Sequence, residues 1–310
     1  MRDGANEDPM GNVRFSVGEF TTPRLSFGED LEVYSRAGAE GIGIDAALKL
    51  RDPRGDLARF RDSGLAATYC FPHTSTVLPS RFDPGPANPA DRVDAMCEGI
   101  RALTAFGPLG FVCGPGPYGS HDKARAYDVA VAGLRQAARA AAAEGLPLLL
   151  EPMHPALEAE WSFLVRLDQA VAMIHDIGAP NVGIMFDIWH QWDSPHVRES
   201  LAANIELVRA VQVDDWRDPT RGWCDRVLPG DGVADVAGIL GHLRACGYQG
   251  WLELEIFSDD GLFETAFTDS LWASDPERVI RLGRERTLSA WAASSAPPGD
   301  SSAIRSETDD

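Results

Sequence analysis

Short apolar runs that end near a polar residue recur along this chain of 310 residues. Each run has the length and composition of a buried β-strand, and each is followed by turn residues and a segment with helical periodicity. Four runs carry oxygen-bearing side chains at or near their ends: Leu146–Pro155 with Glu151, Val182–Asp187 with Asp187, Leu207–Asp215 with Gln212 and Trp251–Phe257 with Glu255.

The same pattern continues over the whole chain and predicts eight strands that alternate with eight helices. Besides those four runs, strands are predicted at Val13–Val17, Gly41–Asp45, Ala66–Phe71 and Leu109–Cys113. Helices are predicted at Phe27–Arg36, Gly55–Ser63, Asp91–Phe106, Lys123–Ala143, Arg166–Ile177, Pro195–Asn204, Asp235–Cys246 and Pro276–Trp291. This alternation predicts an α/β fold, a single (β/α)8 TIM barrel. A doubly wound open sheet is disfavoured because no GxGxxG motif follows the first strand.

The ends of the chain differ from its middle in composition. We expect residues 1–12 to be a disordered leader, residues 13–291 to form the barrel and residues 292–310 to be a disordered acidic tail. The long proline-rich segment Thr74–Pro89 is predicted to be a functional or mobile loop.

Charge and cysteine content narrow the class of protein. A formal net charge of −19 argues against a nucleic-acid partner, since binding to phosphate backbones needs a basic face. The five cysteines form no CxxC pair, which predicts reduced thiols and a cytoplasmic protein. No run reaches the roughly 18 apolar residues of a membrane span, and no signal peptide is visible, so no membrane partner is expected.

The strand ends predict one site. In a barrel the carboxyl ends of the strands meet on one rim, so Glu151, Asp187, Gln212 and Glu255 are expected to converge there. Four oxygen donors suit a divalent ion such as Mn²⁺ or Mg²⁺. The alternative is that each side chain only caps a helix or forms a salt bridge, which is less probable for four in the same order.

The blocks EPMHP, FDIWH, VQVDDW, DRVLPGDG and GYQGWLELEIFS resemble the sugar phosphate isomerase/epimerase superfamily, the xylose isomerase-like TIM barrels. The likeness is greatest to members of the inosose isomerase and dehydratase type. It implies a metal held by Glu151, Asp187, Gln212 and Glu255, with Mn²⁺ favoured and Mg²⁺, Co²⁺ or Zn²⁺ as other candidates. Gln212 stands where the third ligand of the family is often histidine.

The resemblance also implies roles for side chains around the metal. Glu151 and Glu255 are implied to be the acid/base pair, and His190 and Arg226 to contact substrate. Further candidates come from position on the rim: His154 and His73 follow strands, and Trp189 offers an aromatic face to a sugar ring. Two more acids share the inward parity: Asp214, expected to orient Arg226 or a ligand, and Glu253, expected to lie deeper as a core contact.

These observations lead to one main hypothesis and three rivals. The main hypothesis is a divalent-metal-dependent isomerase or epimerase that acts on a keto-sugar or cyclitol by α-proton abstraction through an enediolate. A lyase, either an inosose-type dehydratase or one that cleaves an oxidised sugar glycoside, would start with the same proton removal. An abasic-site endonuclease is disfavoured by the negative charge, and a non-catalytic subunit would fit a site that binds no metal. The expected partner is a small sugar or cyclitol, and a homo-oligomer is left open.

Overall fold

The computed structural model describes residues 13–83 and 85–293, and its centre is a closed barrel of eight parallel strands. The barrel strands follow one another in chain order, and β1 pairs with β10 to close the ring. The strands of the described chain are β1 Arg14–Gly18, β2 Gly41–Asp45, β3 Ala66–Phe71, β4 Gly110–Val112, β5 Leu148–Leu150, β6 Val182–Asp187, β7 Val208–Val213, β8 Asp215–Trp216, β9 Arg226–Val227 and β10 Trp251–Leu254. The predicted TIM barrel is confirmed.

Eight of the described helices cover the outside of the barrel at the positions that the periodicity predicts, and α6 Ile188–Gln191, a single turn directly after β6, was not predicted. The helices are α1 Phe27–Ala37, α2 Pro53–Ser63, α3 Pro89–Leu103, α4 Lys123–Ala143, α5 Leu167–Ile177, α6 Ile188–Gln191, α7 Val197–Ala203, α8 Val236–Ala245 and α9 Pro276–Ala293. Local signals set their ends. In α1, Ser26 and Glu29 form a capping box, and Gly38 ends the helix in the left-handed conformation at φ 85°.

Alternate residues of each barrel strand point to the inside and the outside of the barrel, and this alternation determines the direction of the side chains at the strand ends. Leu149, Met185, Ala210 and Trp251 belong to a cluster with side chains from six different barrel strands, so the cluster lies inside the barrel. Their neighbours along the strands pack outward, against the helices. Side chains an even number of residues further along the same strand also point inward. Glu151, Asp187 and Gln212 lie two residues after Leu149, Met185 and Ala210, and Glu255 lies four residues after Trp251, so all four point inward.

One element differs from the prediction. The predicted strand Leu207–Asp215 ends at Val213, and Asp215–Trp216 pairs with Arg226–Val227 in a short antiparallel hairpin outside the barrel. The Asp215 carboxylate explains the break, because it accepts hydrogen bonds from the backbone N–H groups of Trp216, Gly230, Gly232 and Ala234. These bonds fold the following loop back on the rim and place Arg226 there.

The predicted leader, residues 1–12, and most of the predicted tail lie outside the described residues. Ala292 and Ala293, which the prediction assigns to the tail, are the last two residues of α9. None of the described helices combines the length and apolarity that a membrane crossing requires.

Candidate active site

A cavity opens at the carboxyl ends of the barrel strands. One side carries acidic and basic groups, among them Glu151, His190, Arg226 and Glu255. Aromatic rings form a second wall, in which Phe20 stacks on Phe257 and Phe82 stacks on Trp161 with ring centroids 4.6 and 4.8 Å apart. The predicted loop after β3 forms a third wall. Concave sites with apolar walls and a few convergent polar groups are typical ligand pockets.

The structure brings the four predicted ligands to one end of the barrel. Glu151 and Glu255 follow the last residues of β5 and β10, and both line the cavity. Asp187 ends β6 and is the parallel-strand partner of Gln212 in β7. All four are buried, with exposed fractions of 0 to 6%.

Arg226 lies at the centre of the carboxylates. Its Nη1 donates to Asp187 Oδ2 at 2.8 Å, to Asp214 Oδ2 at 2.5 Å and to Glu255 Oε2 at 3.2 Å. The guanidinium plane packs between the rings of Trp189 and Phe257, at 4.8 and 4.5 Å from their centroids. The expectation that Asp214 orients Arg226 is therefore confirmed, and Trp189 is placed behind the guanidinium.

His190 is held as a neutral hydrogen-bond donor. Its Nδ1 accepts from the His154 backbone N–H at 2.9 Å, which assigns the ring proton to Nε2. Burial lowers the pKa of His190 to about 3, so the ring is uncharged at neutral pH. Nε2 lies 3.6 Å from Glu151 Oε1 and 3.5 Å from Asp187 Oδ2. In this tautomer Nε2 can donate to an oxygen. In the other tautomer it could join Glu151 and Asp187 as a metal ligand, since ligand atoms of these three residues lie within 4.8 Å of one another.

The shared environment shifts the pKa values of the carboxyl groups in different directions. Burial, followed by the charges of Glu255 and Asp187, raises the pKa of Glu151 well above its usual value. Burial also raises the pKa of Glu255 to about 8, although the Arg226 charge opposes the rise. Asp187 is buried as well, but Arg226 and His190 hold its pKa below the usual value. The site therefore contains glutamates that can carry a proton near neutral pH beside an aspartate that stays ionised.

The donor set fits a divalent cation. Glu151, Asp187, Asp214 and Glu255 meet a single guanidinium, Arg226, within this cluster of the described chain, so the ionised cluster has three negative charges in excess. Buried charges of that number need a counter-ion or bound protons. The side-chain amide of Gln212 is fully buried beside Glu253, and its hydrogen bond to that carboxyl group opposes the rise in the pKa of Glu253. Oxygen donors and surplus negative charge are what a hard cation requires.

Three predicted substrate contacts, His73, His154 and Trp189, are not among the residues that line the cavity. Trp189 is 1% exposed and packs against Arg226. His73 is exposed. His154 is half-buried behind His190, with its ring 4.7 Å from that of Trp216, and its backbone N–H orients the His190 ring.

The prediction from the sequence missed Asp45 and Asp83. Asp45 ends β2 in the run GIGID, the same signal that singled out Asp187 at the end of β6, and it lines the cavity. Asp83 lies in the loop after β3 and also lines the cavity. The strand-end pattern could have identified Asp45, whereas Asp83 depends on the path of its loop.

The fold agrees with the comparison to known protein families. Residues 31–287 match the family described as the xylose isomerase-like TIM barrel. The chain therefore belongs to this family, a group of sugar isomerase and epimerase folds, as its motifs indicate.

Individual relatives are similar over part of their length. A 2-oxo-tetronate isomerase from Cupriavidus necator is 29% identical over 135 residues, which are 43% of this chain and 49% of that protein. An inosose isomerase from Bacillus velezensis is 28% identical over 124 residues, 39% of this chain and 41% of the relative. The chain thus spans about half the length of these curated relatives.

A solved structure, that of the IOLI protein with a bound zinc atom, has the same fold. It superimposes with a TM-score of 0.73 at 19% identity and covers 90% of this chain and 98% of its own.

Proposed function

We propose that this protein is a divalent-metal-dependent isomerase or epimerase that moves a proton next to the carbonyl group of a keto-sugar or cyclitol. One observation carries the proposal. Two buried glutamates with raised pKa values, Glu151 and Glu255, line the same wall of a cavity together with Arg226. Such groups are suited to remove and return a proton near neutral pH.

Glu151, Asp187, Gln212 and Glu255 are the residues that would hold the metal. When bound, a divalent cation polarises the carbonyl group of the substrate and stabilises negative charge on its oxygens. The mainly carboxylate donor set favours Mn²⁺ or Mg²⁺, and the zinc atom in the IOLI structure supports Zn²⁺ as another occupant.

Glu151 and Glu255 carry the proton transfer in this proposal. One glutamate takes the proton from the carbon next to the carbonyl group, which leaves an enediolate. The other delivers a proton, either to the opposite face of that carbon or to the neighbouring carbon. Because their pKa values are raised by burial in one cluster, the pair can hold one proton and accept another.

Arg226 and His190 stabilise the charge that develops during this transfer. The Arg226 guanidinium is fixed by Asp187 and Asp214, and His190 presents an Nε2–H next to Glu151. Both groups are donors held before substrate binds, and preorganised donors stabilise an oxyanion more than mobile water does. His190 can remain a donor throughout, because its low pKa prevents it from acting as a base that ends up charged.

Metal content and proton exchange test the proposal together. Elemental mass spectrometry of the purified protein is expected to find about one equivalent of a divalent metal, and Glu151→Gln is expected to lose it. In D₂O, the metal-loaded protein is expected to introduce deuterium next to the carbonyl group of a ketose or cyclitol ketone, as followed by NMR.

Glu144→Gln is the matched control, since Glu144 is exposed and lies at the end of α4, outside the barrel. It should keep both the metal and the exchange activity. A protein that binds none of the added ions, or a metal-loaded protein that exchanges no proton in any ketose or cyclitol ketone, would contradict the proposal.

A further inference from the structure

The cavity has a second acidic wall. It lies on the side of β2 and β3, away from the strands that carry the proposed reaction site. Asp45 and Asp83 line it, together with Ser75 and Thr76. Asp45 is partly exposed, and its Oδ1 accepts from the Leu48 backbone N–H at 2.7 Å. None of these four residues contacts Glu151, Asp187 or Glu255 through a hydrogen bond or ion pair within the described chain.

The two oxygens of Asp83 differ in their surroundings. Oδ2 accepts from the Ser75 and Thr76 backbone N–H groups at 2.8 and 2.5 Å and pairs with Arg92 at 2.8 Å. Oδ1 is buried and has no hydrogen-bond partner among residues 13–83 and 85–293, although Asp83 as a whole is only 8% exposed. A buried carboxylate oxygen without a donor is costly, so this oxygen is a ready acceptor for a ligand hydroxyl.

The charges around the cavity limit what the ligand can be. The residues that line it include four acids, Asp45, Asp83, Glu151 and Glu255, whereas Arg226 is the single arginine or lysine that the described lining contains. Arg226 is already shared by three carboxylates. Burial, with a smaller contribution from the nearby Asp83 charge, raises the pKa of Asp45 to about 6. Arg92 balances the charge of Asp83, so a second anion would meet repulsion from Asp45, whereas a hydroxyl group would donate to either carboxylate.

We propose that Asp45 and Asp83 form a hydroxyl-binding subsite, and that it selects an uncharged polyhydroxy ketone over a phosphorylated one. The inference rests on the proposed function, which identifies the reacting group of the substrate. It adds how the rest of the substrate is recognised. The hydroxyl groups distant from the carbonyl donate to Asp45 and to Oδ1 of Asp83. A metal at Glu151, Asp187 and Glu255 would neutralise that side of the cavity and leave the charge of this subsite in place.

Binding of matched ligands tests the subsite. Isothermal titration calorimetry on the Mn²⁺-loaded protein would compare D-fructose and 2-keto-myo-inositol with D-fructose 6-phosphate. We expect at least one uncharged ketone to bind about tenfold or more tightly than the phosphate ester. Asp45→Asn should weaken binding of that ketone about 10- to 100-fold, the range for a hydrogen bond to a charged group, and reduce the discrimination against phosphate.

Asp62→Asn is the matched control, because Asp62 is exposed on α2 and the same charge is removed far from the cavity. It should leave all three affinities unchanged. Equal or tighter binding of the phosphate ester, unchanged affinity in Asp45→Asn, or no binding of either uncharged ketone would overturn the subsite. If Asp45→Asn does not fold, the comparison of ligands on the wild-type protein still decides the result.

Deuterium exchange separates this inference from the proposed function. Selective binding of an uncharged ketone without exchange would retain the subsite and contradict the isomerase proposal. Exchange with no preference between the uncharged and phosphorylated ketones would retain the isomerase proposal and contradict the subsite.

Discussion

The two halves of the barrel treat buried carboxylates differently. In the first half, each of two buried aspartates has its own cation: Asp30 pairs with Lys49 at 2.7 Å and Asp83 with Arg92 at 2.8 Å. In the second half, three carboxylates, those of Asp187, Asp214 and Glu255, share the guanidinium of Arg226, whose charge also acts on Glu151. Buried charge is normally paired because desolvation is costly, so this surplus supports the proposed cation binding and proton transfer.

The pairs of the first half are structural in character. Lys49 also donates to the backbone carbonyls of Thr22 and Leu25, which connects the turn before α1 to the segment after β2. Arg92 donates to the Thr76 carbonyl and so holds the loop after β3. Because these charges are balanced within their own half, they leave the surplus on the reaction side unaffected.

Removal of a proposed acid/base group should have the largest effect. Glu255→Gln keeps the shape of the side chain but cannot exchange a proton, so deuterium incorporation should fall by about 10²- to 10⁴-fold. The melting temperature should stay equal or rise at pH 8, because one of the crowded buried charges is gone. Exchange at the wild-type rate would exclude Glu255 from proton transfer.

Removal of the shared cation Arg226 should lower the stability of the protein in a way that depends on pH. Arg226→Met and Arg92→Met should each cost about 3–5 kcal/mol of unfolding free energy, since each leaves buried carboxylate unpaired. Carboxyls with raised pKa values escape the penalty when protonated, so the loss in Arg226→Met should be larger at pH 8 than at pH 5.5. Urea denaturation at the two pH values measures this difference.

Added Mn²⁺ provides the control for that pair of variants. It should restore part of the stability of Arg226→Met, because a divalent ion can replace the missing charge beside Asp187 and Glu255. Arg92→Met should gain no more stability from Mn²⁺ than the wild-type protein does, since the proposed metal site is intact in both. Equal rescue of both variants would show that the surplus charge is not specific to the second half.

A smaller effect is expected where the two halves meet inside the barrel. A Cβ on Gly43 of β2 would lie 2.6 and 2.7 Å from the carboxylate oxygens of Glu253, whose Oε2 accepts from Ser16 and Thr68. Gly43→Ala should therefore destabilise the protein by about 1–3 kcal/mol, the usual cost of overpacking. Gly114→Ala is the control, since a Cβ there meets no atom within 4 Å. Differential scanning calorimetry would compare them, and equal melting temperatures would argue against this steric requirement.

The smallest effect concerns the neutral member of the proposed ligand set. Gln212→His introduces a nitrogen donor and should tighten binding of Zn²⁺, Co²⁺ or Mn²⁺ by roughly tenfold with little change in stability. Competition with a chelating dye measures the affinity. Unchanged affinity would indicate that Gln212 does not contact the metal.

Much of this architecture could be predicted from local patterns. The alternation of apolar runs and helical segments determines the barrel, because parallel strands joined by helices close naturally at eight units. The period of two along each strand also determines that Glu151, Asp187, Gln212 and Glu255 point inward, and the structure places them so. These properties depend on residues within one strand, and for that reason sequence alone was sufficient.

The contacts between loops required the tertiary structure. Arg226 reaches Asp187, Asp214 and Glu255 because Asp215 folds the loop after β7, a bond pattern that joins residues 15 to 19 positions apart. His190 is a donor only because the backbone N–H of His154, in the loop after β5, meets its Nδ1. Asp83 enters the cavity wall through the path of a long loop. Strand periodicity specifies the direction of a side chain, whereas its charge partner and proton depend on neighbours that only the folded chain brings together.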